Sequence, residues 1–243
     1  MKTKIFLLSL LITGIMAWSC KGPKTKEEAP LLNQLTEAEM AEGWKLLFDG
    51  STFDGWRSFQ ADSVYGWAIE DDCLTALGEG SDLSGDIITA EQFADFELSL
   101  EWKISPGGNS GIMFRVLEEG QKTTYETGPE YQIIDDLGFP VELDEWHRTG
   151  ANYEMHVPEN KNLNPVGEFN HTKIVVKGAQ VEHWLNGELL LAYELWSDDW
   201  NERVEKSKWK TRPEYGLAKK GHIALQDHGD KVWFRNIKIR ELN

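Results

Sequence analysis

Apolar and polar positions alternate with the period of a β-strand along most of the chain. Phe96-Glu97-Leu98-Ser99-Leu100-Glu101-Trp102-Lys103-Ile104 alternates without a fault over nine residues, which predicts a half-buried strand. Ser105-Pro106-Gly107-Gly108-Asn109 is a turn, and Gly111 to Val116 reads as the next strand. Further strands are predicted over Glu130 to Asp135, Thr172 to Lys177, Val181 to Leu185, Glu188 to Glu194, His222 to Asp227 and Lys231 to Arg240. Gly178-Ala179-Gln180 and Asn186-Gly187 supply hairpin turns. Val232 and Phe234 share a phase that Ile237 and Ile239 do not, so a bulge is expected near Asn236. Helical signals are few. Thr36-Glu37-Ala38-Glu39 matches a capping box for a short helix ending near Glu42, and Ser197 with Asp198 and Asp199 caps a second one. Strands in series without βαβ alternation predict an all-β fold, a two-sheet jelly-roll sandwich with one or two short helices.

The N-terminus follows a different pattern. Lys2 and Lys4 precede an apolar run from Ile5 to Met16, and Ala17-Trp18-Ser19-Cys20 ends it with small residues before a cysteine. That run is too short for a permanent membrane span, and it reads as a lipoprotein signal over residues 1–19, cut before Cys20. A lipidated Cys20 would anchor an exported protein to the bacterial cell envelope. Residues 20–35, rich in Lys, Glu and Pro, form a tether, and residues 36–243 form one jelly-roll domain. Charge narrows the partners. The net charge is −16, and −18 once residues 1–19, with two lysines and no acid, are removed. Such a surface repels nucleic acid and suits neutral ligands such as sugars. Cys73, left alone once Cys20 is lipidated, reads as a half-buried structural thiol, and no cysteine pair exists for zinc.

Strand phase then sorts side chains by face. Ile112, Phe114 and Val116 form a core set, with Met113 and Arg115 on the other side. Tyr131 and Ile133 point inward, and Glu130 and Gln132 outward. Ile223 and Leu225 point inward, and Gln226 and His228 outward. Gly111 and Ala224 share that outward face and leave room for a ligand. Arg115, Glu130, Gln132, Gln226 and His228 on one sheet make a candidate sugar site, in which a carboxylate and an imidazole do acid–base work and Arg or Gln binds hydroxyls or an oxyanion. An ordinary cross-strand ion pair between Arg115 and Glu130 is the competing explanation. The acids Asp135, Asp136, Glu142, Asp144 and Glu145 match no fixed calcium-loop spacing.

Several segments resemble a large bacterial family. They are Trp44-Lys45-Leu46-Leu47-Phe48-Asp49-Gly50, Phe53-Asp54-Gly55-Trp56, Gly108-Asn109-Ser110-Gly111, Glu130-Tyr131-Gln132-Ile133, Leu225-Gln226-Asp227-His228-Gly229 and Phe234-Arg235-Asn236-Ile237. The family is that of the 3-keto-disaccharide hydrolases or 3-keto-glucoside lyase-hydratases, formerly a domain of unknown function, and the resemblance runs from about Trp44 to Leu242. It implies a concanavalin-like jelly roll and cleavage of glycosides whose sugar carries a ketone at C3. On that expectation Glu130 or His228 is the base, Arg115 and Gln132 lie near the oxyanion, and Tyr153 or His183 assists the leaving group. The sequence requires no cofactor and leaves room for a divalent metal, with Asp135, Glu130 and His228 as candidate ligands. A non-catalytic carbohydrate-binding module and a two-carboxylate glycosidase are the alternative readings.

Overall fold

The computed structural model describes residues 31–78 and 85–242. The expected signal over residues 1–19, Cys20 and the start of the expected tether lie outside the described residues. Helix α1 (Glu37–Ala41) is held by the predicted capping box: Thr36 accepts from the Glu39 amide while Glu39 reaches back to Thr36. Strands β1 (Trp44–Leu46), β2 (Trp56–Ser58), β3 (Trp67–Glu70), β4 (Cys73–Ala76) and β5 (Ile87–Thr89) follow. The long strands β6 (Phe96–Ile104) and β7 (Asn109–Val116) come next, then β8 (Glu130–Ile134), β9 (Asn170–Lys177), β10 (Gln180–Leu185) and β11 (Glu188–Glu194). Helix α2 (Asp198–Lys206), capped by Ser197, interrupts the series before β12 (His222–Leu225) and β13 (Val232–Glu241).

All strand pairs are antiparallel. One sheet runs β11-β10-β9-β6-β13-β4-β3, with β1 also paired to β13, and the second runs β2-β5-β12-β7-β8. The fold is a two-sheet jelly-roll sandwich. Asn186 and Gly187 both take positive φ, 48° and 88°, the turn geometry whose twist suits the β10–β11 hairpin. The expected bulge in β13 is present: Asn236 has φ 51° and the register against β6 shifts between Arg235 and Lys238.

Phe114, Tyr131, Ile133 and Leu225 are fully buried between the sheets. Phe114 meets Phe96 edge to face, ring centroids 6.3 Å apart, so it ties one sheet to the other. Phe114→Ala is expected to lower unfolding stability by about 3–5 kcal/mol, read as a lower urea midpoint. An unchanged midpoint would mean that the sheets do not close over this ring. Cys73 is buried, and burial pushes its thiol up to about 11, which leaves it unreactive.

The five-stranded sheet departs from the expected phase at one place. Its register shifts where β12 meets β7, so that three steps from Met113 to Val116 face two from Ala224 to His222. Arg115 is the bulged residue, with φ 53°. The extra residue moves Val116 off the core and onto the outer face beside Met113, Ile88 and Ala224. It also turns Arg115 away from that face.

Candidate active site

The outer face of the five-stranded sheet forms the floor of the site. Glu130, Gln132 and Gln226 stand on it, each at least nine-tenths buried. Glu130 lies there because its cross-strand neighbourhood lacks a side chain: a Cβ on Gly111 would fall 2.1 Å from Glu130 Oε1. Gln132, with its amide nitrogen toward Glu130, donates to Oε1 at 3.1 Å and to the Ser110 carbonyl at 3.3 Å. One wall is the segment after the acidic loop, tied to β8 by Gly150 N–H to Gln132 O (2.9 Å) and Tyr153 N–H to Glu130 O (3.1 Å). A second wall, in contact with the first, is the 3₁₀ turn Lys208–Thr211 that follows α2. Ser207 caps it, and the Trp209 indole donates to Tyr153 O at 3.1 Å while its ring stacks on Tyr215 at 4.2 Å. Lys208 is thereby held with Nζ 4.2 Å from the Tyr153 ring centroid and 4.6 Å from that of Trp209.

These residues enclose a cavity of about 240 Å³, also lined by Asn109, Tyr125 and His228. A larger compartment of about 590 Å³ adjoins it and shares Tyr125, Gln226 and His228. Burial governs the electrostatics of the smaller cavity. It pushes the Glu130 carboxyl up to about 8; Lys208 pulls it back and Asp86 adds to the rise. Lys208 is shifted the opposite way, its ammonium lowered by burial and partly restored by Glu130 and Glu154. The Tyr153 hydroxyl is pushed up to about 12 by burial, with Glu130 and Glu154 contributing, so it stays protonated and can donate. The cavity therefore pairs one strongly basic carboxyl with one cation, between aromatic walls.

Of the residues named from strand phase, Glu130, Gln132, Gln226 and His228 line this cavity, and Tyr153 joins them; His228 is the exposed member at its rim. Three expectations are corrected. Arg115 lies outside both compartments, because the bulge directs it to the edge of the other sheet. Its guanidinium donates to Ala94 O (3.0 Å), Asp95 Oδ1 (3.1 Å) and Gly178 O (3.1 Å), so it is a clamp between sheets and not a neighbour of Glu130. His183 is fully buried between Val181 and Leu185 on the core side of β10. It bonds the Gly150 carbonyl through Nδ1 at 3.0 Å and packs on Tyr131, and burial lowers its imidazole to about 3, so it stays neutral. Asp135 is likewise no partner of Glu130 and His228. Its carboxylate accepts from the amides of Gly107, Leu137 and Gly138 and closes its own turn. Among the described residues no three His, Cys, Asp or Glu side chains gather as metal ligands. Strand phase missed Lys208, Trp209, Asn109 and Tyr125, none of which sits in a strand whose alternation singles it out.

Sandwich, buried acid and nearby cation define a jelly-roll protein with a polar, aromatic-walled cavity on its five-stranded sheet. The chain belongs to the 3-keto-alpha-glucoside-1,2-lyase-like domain family, whose profile matches residues 43–240. It is 34% identical to a 3-keto-disaccharide hydrolase of Bacteroides thetaiotaomicron, with 99% of each chain covered. It is similar in structure to a protein of Parabacteroides distasonis provisionally named a glycosyl hydrolase, at 42% identity and TM-score 0.83, covering 88% of this chain and 100% of that one. A second protein of that organism, under the same provisional name, shares the fold at 24% identity and TM-score 0.63, covering 82% of this chain and 99% of that one.

Proposed function

We propose that the protein is a glycoside-cleaving enzyme that acts on 3-keto-glycosides by elimination and hydration. The observation that carries this reading is the pairing of Glu130 with Lys208 in a cavity whose lining, among the described residues, holds no second carboxylate. Hydrolysis of an ordinary glycoside calls for two carboxyl groups across the bond. Elimination calls for one base and one electrophile. A ketone at C3 acidifies the C2 proton; Glu130 removes it, and the electron pair moves onto the C3 oxygen as an enolate. Lys208, with Gln132 and Gln226, faces the developing charge. The enolate then collapses: the C3 carbonyl re-forms, a C1–C2 double bond forms, and the C1 substituent leaves with its bonding electrons, taking a proton. Water adds to C1 and the proton returns to C2. A carboxyl near 8 suits such a base, since its conjugate acid is close in strength to ambient pH. Family membership and the name of the curated relative support the same reading.

The purified protein is expected to cleave a 3-keto-disaccharide and leave the matching plain disaccharide untouched, because without the ketone the C2 proton is far too weak an acid. In D₂O the product should carry deuterium at C2, once exchange with the free ketone is subtracted. Cleavage of the plain disaccharide without that label would favour a two-carboxylate glycosidase. Binding of both with turnover of neither would favour a carbohydrate-binding module.

A further inference from the structure

One side chain outside the chemistry above ties together three of the segments that build the site. Asp86 stands just before β5 and lines the larger compartment. Its Oδ2 accepts from the hydroxyl of Thr124, a fully buried residue that begins the 3₁₀ turn Thr124–Glu126. Its Oδ1 accepts from the Asp227 amide at 3.0 Å, between Gln226 and His228. Its own carbonyl accepts from the Phe59 amide at 2.8 Å, which fixes it beside the end of β2. Both far ends reach the Glu130 cavity. The turn carries Tyr125, which lines that cavity and meets Trp209 with ring centroids 6.4 Å apart. The other end carries Gln226 and His228, which line it as well.

An uncharged amide could hold the same two segments, its oxygen accepting from Asp227 and its NH₂ donating to the Thr124 hydroxyl. The acid is harder to accommodate, because burial raises its carboxyl against the pull of the two hydrogen bonds. Its charge does what an amide cannot. Asp86 raises the carboxyls of both Glu130 and Asp227, so it is the anion to which the other two respond. Lys208 pulls Glu130 the opposite way. The other groups around them are His228, which lowers Asp86, Lys122 on the wall of the larger compartment, and the protonated Tyr153 hydroxyl.

We propose that Asp86 is a positioning residue of the active site, a bracket that holds the Tyr125 turn to the Gln226–His228 segment and sets a negative charge within range of Glu130. It rests on the reaction proposed above only in naming Glu130 as the base. Lys208 and Asp86 then act on that base with opposite signs: the cation receives the enolate charge, and the anion keeps the carboxylate basic enough to take the C2 proton.

Two variants test it. Asp86→Asn removes the charge and can keep both hydrogen bonds, while Asp86→Ala removes both functions. In a carboxyl ¹³C NMR titration without substrate, the Glu130 signal is assigned by its loss in Glu130→Gln. Its midpoint is expected to fall in Asp86→Asn by roughly half a unit or more, the scale of one nearby like charge at an effective dielectric of about 20. The rising limb of kcat/KM for a 3-keto-disaccharide should move to lower pH by the same amount. Above that limb Asp86→Ala should lose about tenfold or more in kcat/KM as the walls shift, and Asp86→Asn should recover most of it. A bracket with no electrostatic part predicts the wild-type midpoint in Asp86→Asn, and that result overturns the proposal even if Asp86→Ala fails to fold. An Asp86→Ala protein as active as the wild type overturns it too. A lowered midpoint together with no cleavage of the 3-keto-disaccharide by the wild type upholds the action of Asp86 on Glu130 and overturns the reaction.

Discussion

Glu130→Gln is expected to lose about 10²–10⁴-fold in turnover of a 3-keto-glycoside, the usual contribution of a positioned general base, while still binding the substrate. The amide keeps the size and hydrogen-bonding reach of the side chain beside Gln132 and removes only its basicity. The same substitution should make the protein more stable at alkaline pH. In the folded chain burial holds the proton on Glu130 up to about 8, against 4.5 for a free glutamate. The folded state therefore binds more protons than the unfolded one between those values. Wild-type stability falls as pH rises through that window and levels off above about 8. The cost of the ionised carboxyl at pH 9 is on the order of 4–5 kcal/mol, which the glutamine variant does not bear. Urea unfolding at pH 4 and pH 9 would separate the effects: near-equal midpoints at the lower pH and a higher one for the variant at the upper. A variant that keeps full turnover removes Glu130 from the chemistry. A variant no more stable at pH 9 shows that the carboxyl is not held protonated by burial.

The contrast between Glu130, read correctly from strand phase, and Arg115, read wrongly, lies in what a bulge does to alternation. In β13 the slip at Asn236 is visible in the sequence, because the buried positions Val232 and Phe234 fall out of step with Ile237 and Ile239 among polar neighbours. In β7 the same kind of slip leaves no trace. Met113 and Val116 are apolar on the outer face and Ile112 and Phe114 are apolar on the inner one, so either phase satisfies the pattern. Nor is the bulged residue a glycine; Arg115 holds φ 53° with its guanidinium tied to three acceptors in the segments that flank β6 and β9 at the end of the other sheet. His183 shows the reverse error. It shares the phase of Val181 and Leu185, which is the buried face of β10, whereas from sequence it reads as a half-exposed residue able to assist the leaving group. Buried imidazole is tolerated there because the Gly150 carbonyl and the Tyr193 hydroxyl satisfy it.

Lys208 was beyond the reach of any local pattern. It lies 78 positions after Glu130 in a run of alternating cations and tryptophan that reads as a solvated helix end. What brings it to the cavity is the packing of its neighbour: Trp209 is buried against Tyr215, and Tyr215 in turn stacks on Trp200 of α2 at 5.7 Å. The helix that interrupts the strand series thus delivers the cation to the face that the strands prepare. The position is set by stacked rings and one indole hydrogen bond, none of which has a spacing signature.

Lys208→Met should therefore disable catalysis in a way that distinguishes its charge from its bulk. Stabilising a developing oxyanion is commonly worth about 10²–10³ in kcat, and the loss is expected on that scale. The pH profile carries the sharper reading. In the wild type the rate must rise with pH as Glu130 gives up its proton, with kcat/KM levelling above about 8. Lys208 is the group that pulls the Glu130 carboxyl down, against the burial that raises it. Taking the positive charge away removes that pull, so the rising limb should move to higher pH in Lys208→Met. Methionine occupies nearly the same volume against Tyr153 and Trp209, so a packing role alone predicts a lower rate with the limb unmoved. Lys208→Arg, which keeps a cation against the same two rings, should return the limb toward its wild-type position even where the rate stays reduced. A Lys208→Met profile that rises over the wild-type pH range would mean that the ammonium does not act on Glu130, and the pairing on which the elimination mechanism depends would have to be abandoned.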